Sequence, residues 1–114
     1  NFKKFKNIEI LPYKNKSVTN YWMNIISFKT LSFKKIYDLS LFLSKKKIET
    51  RRIWRPLHLQ HYIKQFQKYK IINATNLYSS SLCLPSDDNL SNSEVDKICN
   101  YIKKFYEISG NNKL

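Results

Sequence analysis

The stretch IETRRIWRPLHLQ, residues 48–60, holds every arginine of the chain, Arg51, Arg52 and Arg55, although lysine is the cation almost everywhere else. Lysine cannot replace the planar guanidinium fork where a phosphate or carboxylate is gripped bidentately, so arginine kept to one short segment points to a geometric requirement. Beside the arginines stand Glu49, Trp54, Pro56, His58, Gln60 and His61. Hydrogen-bonding and aromatic groups pinned by a proline fit the wall of a site. The same residues also admit a structural reading, in which Arg51 pairs with Glu49 or another carboxylate, Trp54 fills core and His58 caps a following helix. Composition alone leans to that second reading, because ion pairs and buried aromatics are commoner than sites.

Outward from this segment, short strands and helices alternate. Ile48 to Trp54 reads as a strand that Pro56 ends, and a helix is predicted from His58 to Tyr69, where Tyr62, Ile63 and Phe66 share a face. Upstream, Ile36, Leu39, Phe42 and Leu43 recur at helical spacing between Ser32 and Lys46, with lysines placed to suit a helix C-terminus. The apolar run Tyr21 to Phe28 and the shorter Ile8 to Leu11 suit strands. Downstream of a predicted loop, Ser81 to Leu84 is a short apolar segment stopped by Pro85, and Ser86 to Asn89 is a turn. Ser91 and Glu94 form a capping-box pattern, and Val95, Ile98, Cys99, Ile102 and Phe105 then mark one stripe of a helix to about Glu107. The pattern predicts one α+β unit over residues 1–114.

A chain of 114 residues is about one domain long. It starts with Asn1, which suggests that the native polypeptide began elsewhere or that the chain was processed. No stretch approaches the roughly 20 apolar residues of a membrane span, so no membrane partner is expected. The single glycine, Gly110, excludes a glycine-rich phosphate loop and leaves turns to Pro12, Asn, Ser and Asp. Cys83 and Cys99 lack metal-ligand spacing and read as small buried hydrophobes, so no metal is expected. The net charge of +13 would suit nucleic acid. Its lysines are scattered in pairs and triples, however, as solvated faces and AT-rich codon drift would leave them, and nucleic acid is not expected as a partner.

The residues 48–60 resemble the C-terminal motif of the DegT/DnrJ/StrS-type sugar aminotransferases, in which Glu-Ser/Thr-Arg-Pro, an aromatic, a basic residue, Pro, an apolar residue and His-x-Gln follow one another. NYWMNI at Asn20 to Ile25 is similar to that family's Asn-Tyr-Trp-Leu-Asn strand, and SLCLPSDDNLSNSEVDKI at Ser81 to Ile98 to its Cys-Leu-Pro-Ser turn and closing helix. The helix before Ile48 and Glu49 also stands in family order. Each motif is weak alone; four in order are specific. Two departures stand out: Arg52 takes the place usually held by proline, and residues 61–69 are less typical.

The resemblance implies the C-terminal small domain of a fold-type-I aminotransferase, a short antiparallel sheet packed with about three helices. It also implies an absent N-terminal large domain that carries the pyridoxal phosphate lysine, its paired aspartate and the phosphate cradle. The complete enzyme would be a cytoplasmic homodimer moving an amino group, usually from glutamate, to a nucleotide-linked keto-sugar. The matched segments are closest to the branch that aminates 4-keto-6-deoxy sugars on UDP in surface-polysaccharide and nonulosonic-acid pathways. Substrate-side contacts are expected from Arg51 and His58, with Trp54 as pocket wall, Arg55 as a second positive charge, and Asn20 and Tyr21 at a strand start. No lysine here stands in the cofactor motif, so the chain alone is expected to bind no cofactor and to be inactive. The competing readings are an inert remnant, and a small basic nucleic-acid-binding domain whose lysines contact phosphates while Trp22 or Trp54 stacks on bases.

Overall fold

The computed structural model describes residues 2–11, 20, 22–63, 65, 66 and 69–109. Four strands, β1 (Ile8–Ile10), β2 (Asn24–Phe28), β3 (Arg51–Arg52) and β4 (Ser81–Leu84), form one antiparallel sheet in the order β1-β2-β4-β3. Three α-helices accompany them among the described residues: α1 (Phe33–Ser44), α2 (Asn73–Ser80) and α3 (Asn92–Ile108). The expected α+β architecture is the one observed.

The registers Ile26 with Leu82 and Arg52 with Leu82 put these three side chains on one face. Ile26, Phe28 and Leu82 are fully buried there with Ile36, Leu39 and Leu43 of α1 and Ile102 of α3. Tyr106 closes this core: its ring stacks on Phe28 at 6.2 Å, and its hydroxyl lies 2.8 Å from Thr30 Oγ1. Phe42 of α1 meets Tyr101 and Phe105 of α3 at ring distances of 6.3 and 5.5 Å.

Local signals explain the two long helices. Ser32 caps α1 by accepting from Lys35 N, and Ser91 and Glu94 complete a reciprocal capping box on α3. The end of α1 is less comfortable. Ile48 N donates to Leu43 O across a turn that forces Lys47 to φ 60°, a left-handed position where glycine or asparagine is usual.

Three expectations change. The strand predicted over residues 48–54 is ladder-bonded only at Arg51–Arg52, because β3 is an edge with β4 as its neighbour and the chain then turns into Pro56. The helix predicted over residues 58–69 is replaced by 3-10 turns at Leu57–Leu59 and His61–Ile63. Tyr62 and Phe66, which would have made its apolar stripe, are exposed and bury nothing, so no packing supports a longer helix. Residues 64, 67 and 68 of that span lie outside the described residues. Conversely, the asparagine- and serine-rich segment predicted as loop forms α2, in which Thr75, Ser79 and Ser80 hydroxyls donate to carbonyls three or four residues back and Leu77 and Tyr78 are half-buried. The start of the predicted Tyr21 to Phe28 strand falls partly outside the described residues, as do Pro12 and Gly110.

Candidate substrate-binding cleft

Strand alternation sends the two adjacent arginines of β3 in different directions. Arg52 turns toward the helices: its guanidinium carbon lies 3.9 Å from the Phe33 ring centroid and 4.9 Å from that of Tyr78, and its Nη2 donates to Tyr78 O at 2.6 Å. Arg51, opposite Cys83 in the ladder, turns to an open cleft of about 510 Å³ whose lining includes Trp22, Met23, Glu49, Trp54, Cys83 and the Pro85–Ser86–Asp87 turn.

In the cleft, Arg51 Nη2 lies 2.5 Å from Glu49 Oε1, with both side chains largely in solvent. Exposed pairs of this kind hold each other by only about 0–1 kcal/mol, so an incoming anion competes with Glu49 at little cost. Trp54 does not fill core: it is 69% exposed, and its ring centroid lies 5.6 Å from that of Trp22, itself 63% exposed. Asn20 Oδ1 accepts from Trp22 N at 3.1 Å, and Ser86 Oγ donates to Trp22 O at 2.7 Å. The backbone of Trp22 is thus tied on both sides. Burial pushes the Cys83 thiol up from its ordinary value, which keeps it protonated at neutral pH.

The other expected site residues lie elsewhere. His58 Nε2 is 2.9 Å from Thr75 Oγ1, whose hydroxyl proton goes to Ile71 O, so Nε2 carries the proton and donates. His58 therefore ties the 3-10 turn to α2 rather than capping a helix of its own. Arg55 is exposed outside the lining, and its carbonyl accepts from Gln60 Nε2 at 3.3 Å. Asn20 is outside the cleft lining and meets it only through the backbone N–H of Trp22. Tyr21 lies outside the described residues. Sequence reasoning placed Trp22 and Met23 inside a strand and Ser86 and Asp87 in a bare turn; the pairing of β2 with β4 that brings them to Arg51 is long-range. The serine-aspartate turn after Pro85 was the one local hint.

The sequence pattern of the DegT/DnrJ/EryC1/StrS aminotransferase family matches residues 1–103. The chain belongs to this family. Within 87 residues it is 37% identical to GDP-perosamine synthase of Escherichia coli O157:H7, covering 75% of this chain and 23% of that protein. Spr1654 of Streptococcus pneumoniae, assigned as a sugar aminotransferase and solved in its PMP form, superposes with a TM-score of 0.80 at 24% identity over 93% of this chain and 27% of its own. Helicobacter pylori PseC, an aminotransferase involved in the biosynthesis of pseudoaminic acid, superposes with a TM-score of 0.65 at 21% identity over 75% of this chain and 23% of its own. At those identities the two structures share the fold. The chain of this DegT/DnrJ/EryC1/StrS member thus spans about a quarter of the length of these relatives.

The cleft does not fit pyridoxal phosphate as its sole anchor. Its described lining contains no lysine for a covalent link; of its two cations, Arg51 is paired with Glu49, and Arg52 is committed to Phe33 and Tyr78.

Proposed function

We propose that this chain is the C-terminal small domain of a sugar-nucleotide aminotransferase, and that its Arg51 cleft closes one side of the active site formed with a large domain of the same polypeptide. Family membership supports the reaction class of a sugar aminotransferase; in this reading pyridoxal phosphate, held by the large domain, would serve as the electron sink while an amino group moves from glutamate to a nucleotide-linked keto-sugar. The single observation that carries the role of this domain is Arg51, an arginine of the matched motif whose guanidinium ends in an open cleft against one exposed carboxylate. Its fork suits the carboxylate of the amino donor or the diphosphate of the acceptor.

Trp54 walls the cleft, and Arg55, outside its lining, would add positive charge. His58, with Nε2 given to Thr75, would meet substrate through Nδ1. Asn20 supports Trp22 through the backbone N–H of that residue, and Tyr21 belongs to the proposed substrate side by the matched motif alone. The 4-keto-6-deoxy sugar class, a cytoplasmic homodimer and the inactivity of the chain alone belong to the same reading.

The test starts with the coding region upstream of Asn1, read for an in-frame large domain with a pyridoxal lysine. The complete polypeptide is then assayed for 2-oxoglutarate formation from glutamate with UDP- and GDP-linked 4-keto-6-deoxy sugars. Turnover with either is expected, and Arg51→Lys should lower kcat/KM by about tenfold or more, given the loss of a bidentate contact. Absence of an upstream domain, or no amination of any keto-sugar, overturns the reading. Unchanged kinetics in Arg51→Lys removes the role of Arg51.

A further inference from the structure

We infer that Trp22 and Trp54 form a stacking platform for the base of a nucleoside diphosphate. The choice of a nucleobase over other flat rings rests on the reading of the chain as part of a sugar-nucleotide enzyme; the platform itself rests on geometry.

These are the chain's only two tryptophans. They come from separate segments, the lead-in to β2 and the stretch after β3, and still meet at 5.6 Å between centroids. Their planes are inclined by 58°, so the rings make an open corner rather than a closed stack. Each remains more than three-fifths exposed, so this domain's own packing leaves ring face open toward the cleft. An indole pair serving only as core would be covered by its own domain, as Phe28 and Tyr106 are.

The corner is also held in place. Both backbone hydrogen-bonding groups of Trp22 are engaged, by Asn20 Oδ1 and Ser86 Oγ, so its ring is presented from a fixed backbone. The surroundings match a base joined to phosphates. Met23 and Pro85 extend the apolar surface, Ser86 and Asp87 offer polar groups to the ring edge, and Arg51 in the same cleft suits the phosphates. Stacking on indole accepts any base, because every base has a π-face. One platform of two rings suits a single base, whereas single-stranded nucleic acid calls for successive platforms along a basic groove.

No other tryptophan occurs among these 114 residues, so the intrinsic tryptophan fluorescence of this 114-residue chain reports this corner alone. Titration with GDP and with UDP is expected to give saturable quenching by at least one of them, and ribose 5-phosphate at the same concentrations should give none. Trp54→Leu, with Trp22 as reporter, should weaken nucleotide binding by about tenfold or more, and Trp54→Phe should retain most of it. Far-UV circular dichroism identifies any variant that fails to fold; if Trp54→Leu does, Trp22→Leu read through Trp54 decides. Equal quenching by ribose 5-phosphate overturns the proposal in favour of a simple anion site. Tight, steeply salt-dependent binding of oligothymidylate without mononucleotide binding overturns it in favour of nucleic acid. No saturable quenching overturns it outright, and if the complete enzyme still aminates keto-sugars, the platform fails while the proposed function stands.

Discussion

Arg51 and Arg52 are adjacent in sequence and serve opposite environments. The Arg51 guanidinium pairs with Glu49 in solvent at the cleft, and the Arg52 guanidinium lies 3.9 Å from the Phe33 ring centroid and donates to Tyr78 O at 2.6 Å. One strand of two residues therefore carries a solvent-facing, ion-paired arginine and a packing arginine, and they should separate cleanly under mutation. Arg51→Ala should change stability by less than about 1 kcal/mol, since its partner is exposed. Arg52→Ala should lose about 1–3 kcal/mol, from two cation–π contacts and a donor to a half-buried carbonyl. Urea unfolding of both variants checks the contrast, and equal losses would refute it.

Arg52 also stands where the resembling motif carries proline. Arg52→Pro should destabilise at least as much as Arg52→Ala, because it removes the guanidinium contacts and places a residue without an N–H in the strand paired with β4. A variant as stable as the parent would mean that the guanidinium packing contributes nothing.

Lys47 gives a prediction of opposite sign. At φ 60° it pays a steric cost that glycine does not. Lys47→Gly should raise stability by about 1 kcal/mol, read as a higher urea midpoint at unchanged slope. A loss instead would show that the Lys47 side chain contributes more than the strain costs.

The start of α3 should carry a pH signature. A hydrogen bond from the Ser91 hydroxyl, and then one from its backbone N–H, hold the Glu94 carboxyl below the usual carboxylate range. A folded pKa below the unfolded one means stabilisation that is present above the unfolded value and is lost as pH falls through the folded value. Ser91→Ala should cost about 1 kcal/mol at neutral pH, with the difference from the parent shrinking in acid. Carboxyl chemical shifts should show the Glu94 midpoint rising in Ser91→Ala; an unmoved midpoint would refute the cause given.

Cys83 should alkylate slowly at neutral pH, because burial raises its thiol pKa and little thiolate forms. The rate should climb steeply as the solution becomes alkaline. A rate at neutral pH equal to that of a free thiol would contradict the burial seen in the cleft.

What the sequence determined by itself was short-range. The capping box at Ser91 and Glu94 and the apolar stripes of α1 and α3 are set by residues within one or two turns of each other, and helix and cap follow from local spacing alone. The Arg51 segment was visible by its composition, and the family by motifs in order. Tertiary structure decided the rest, because the deciding partners are distant in sequence. Tyr62 and Phe66 of the helix expected over residues 58–69 stand at helical spacing but stay exposed, whereas polar α2 is held by packing and hydroxyl back-bonds that its composition argued against. Trp22 and Trp54 could each have been core; only the pairing of β4 with both β2 and β3 brings them together in the open beside Arg51. Which face a strand residue takes depends on its partner's register, and that register is a property of the folded sheet.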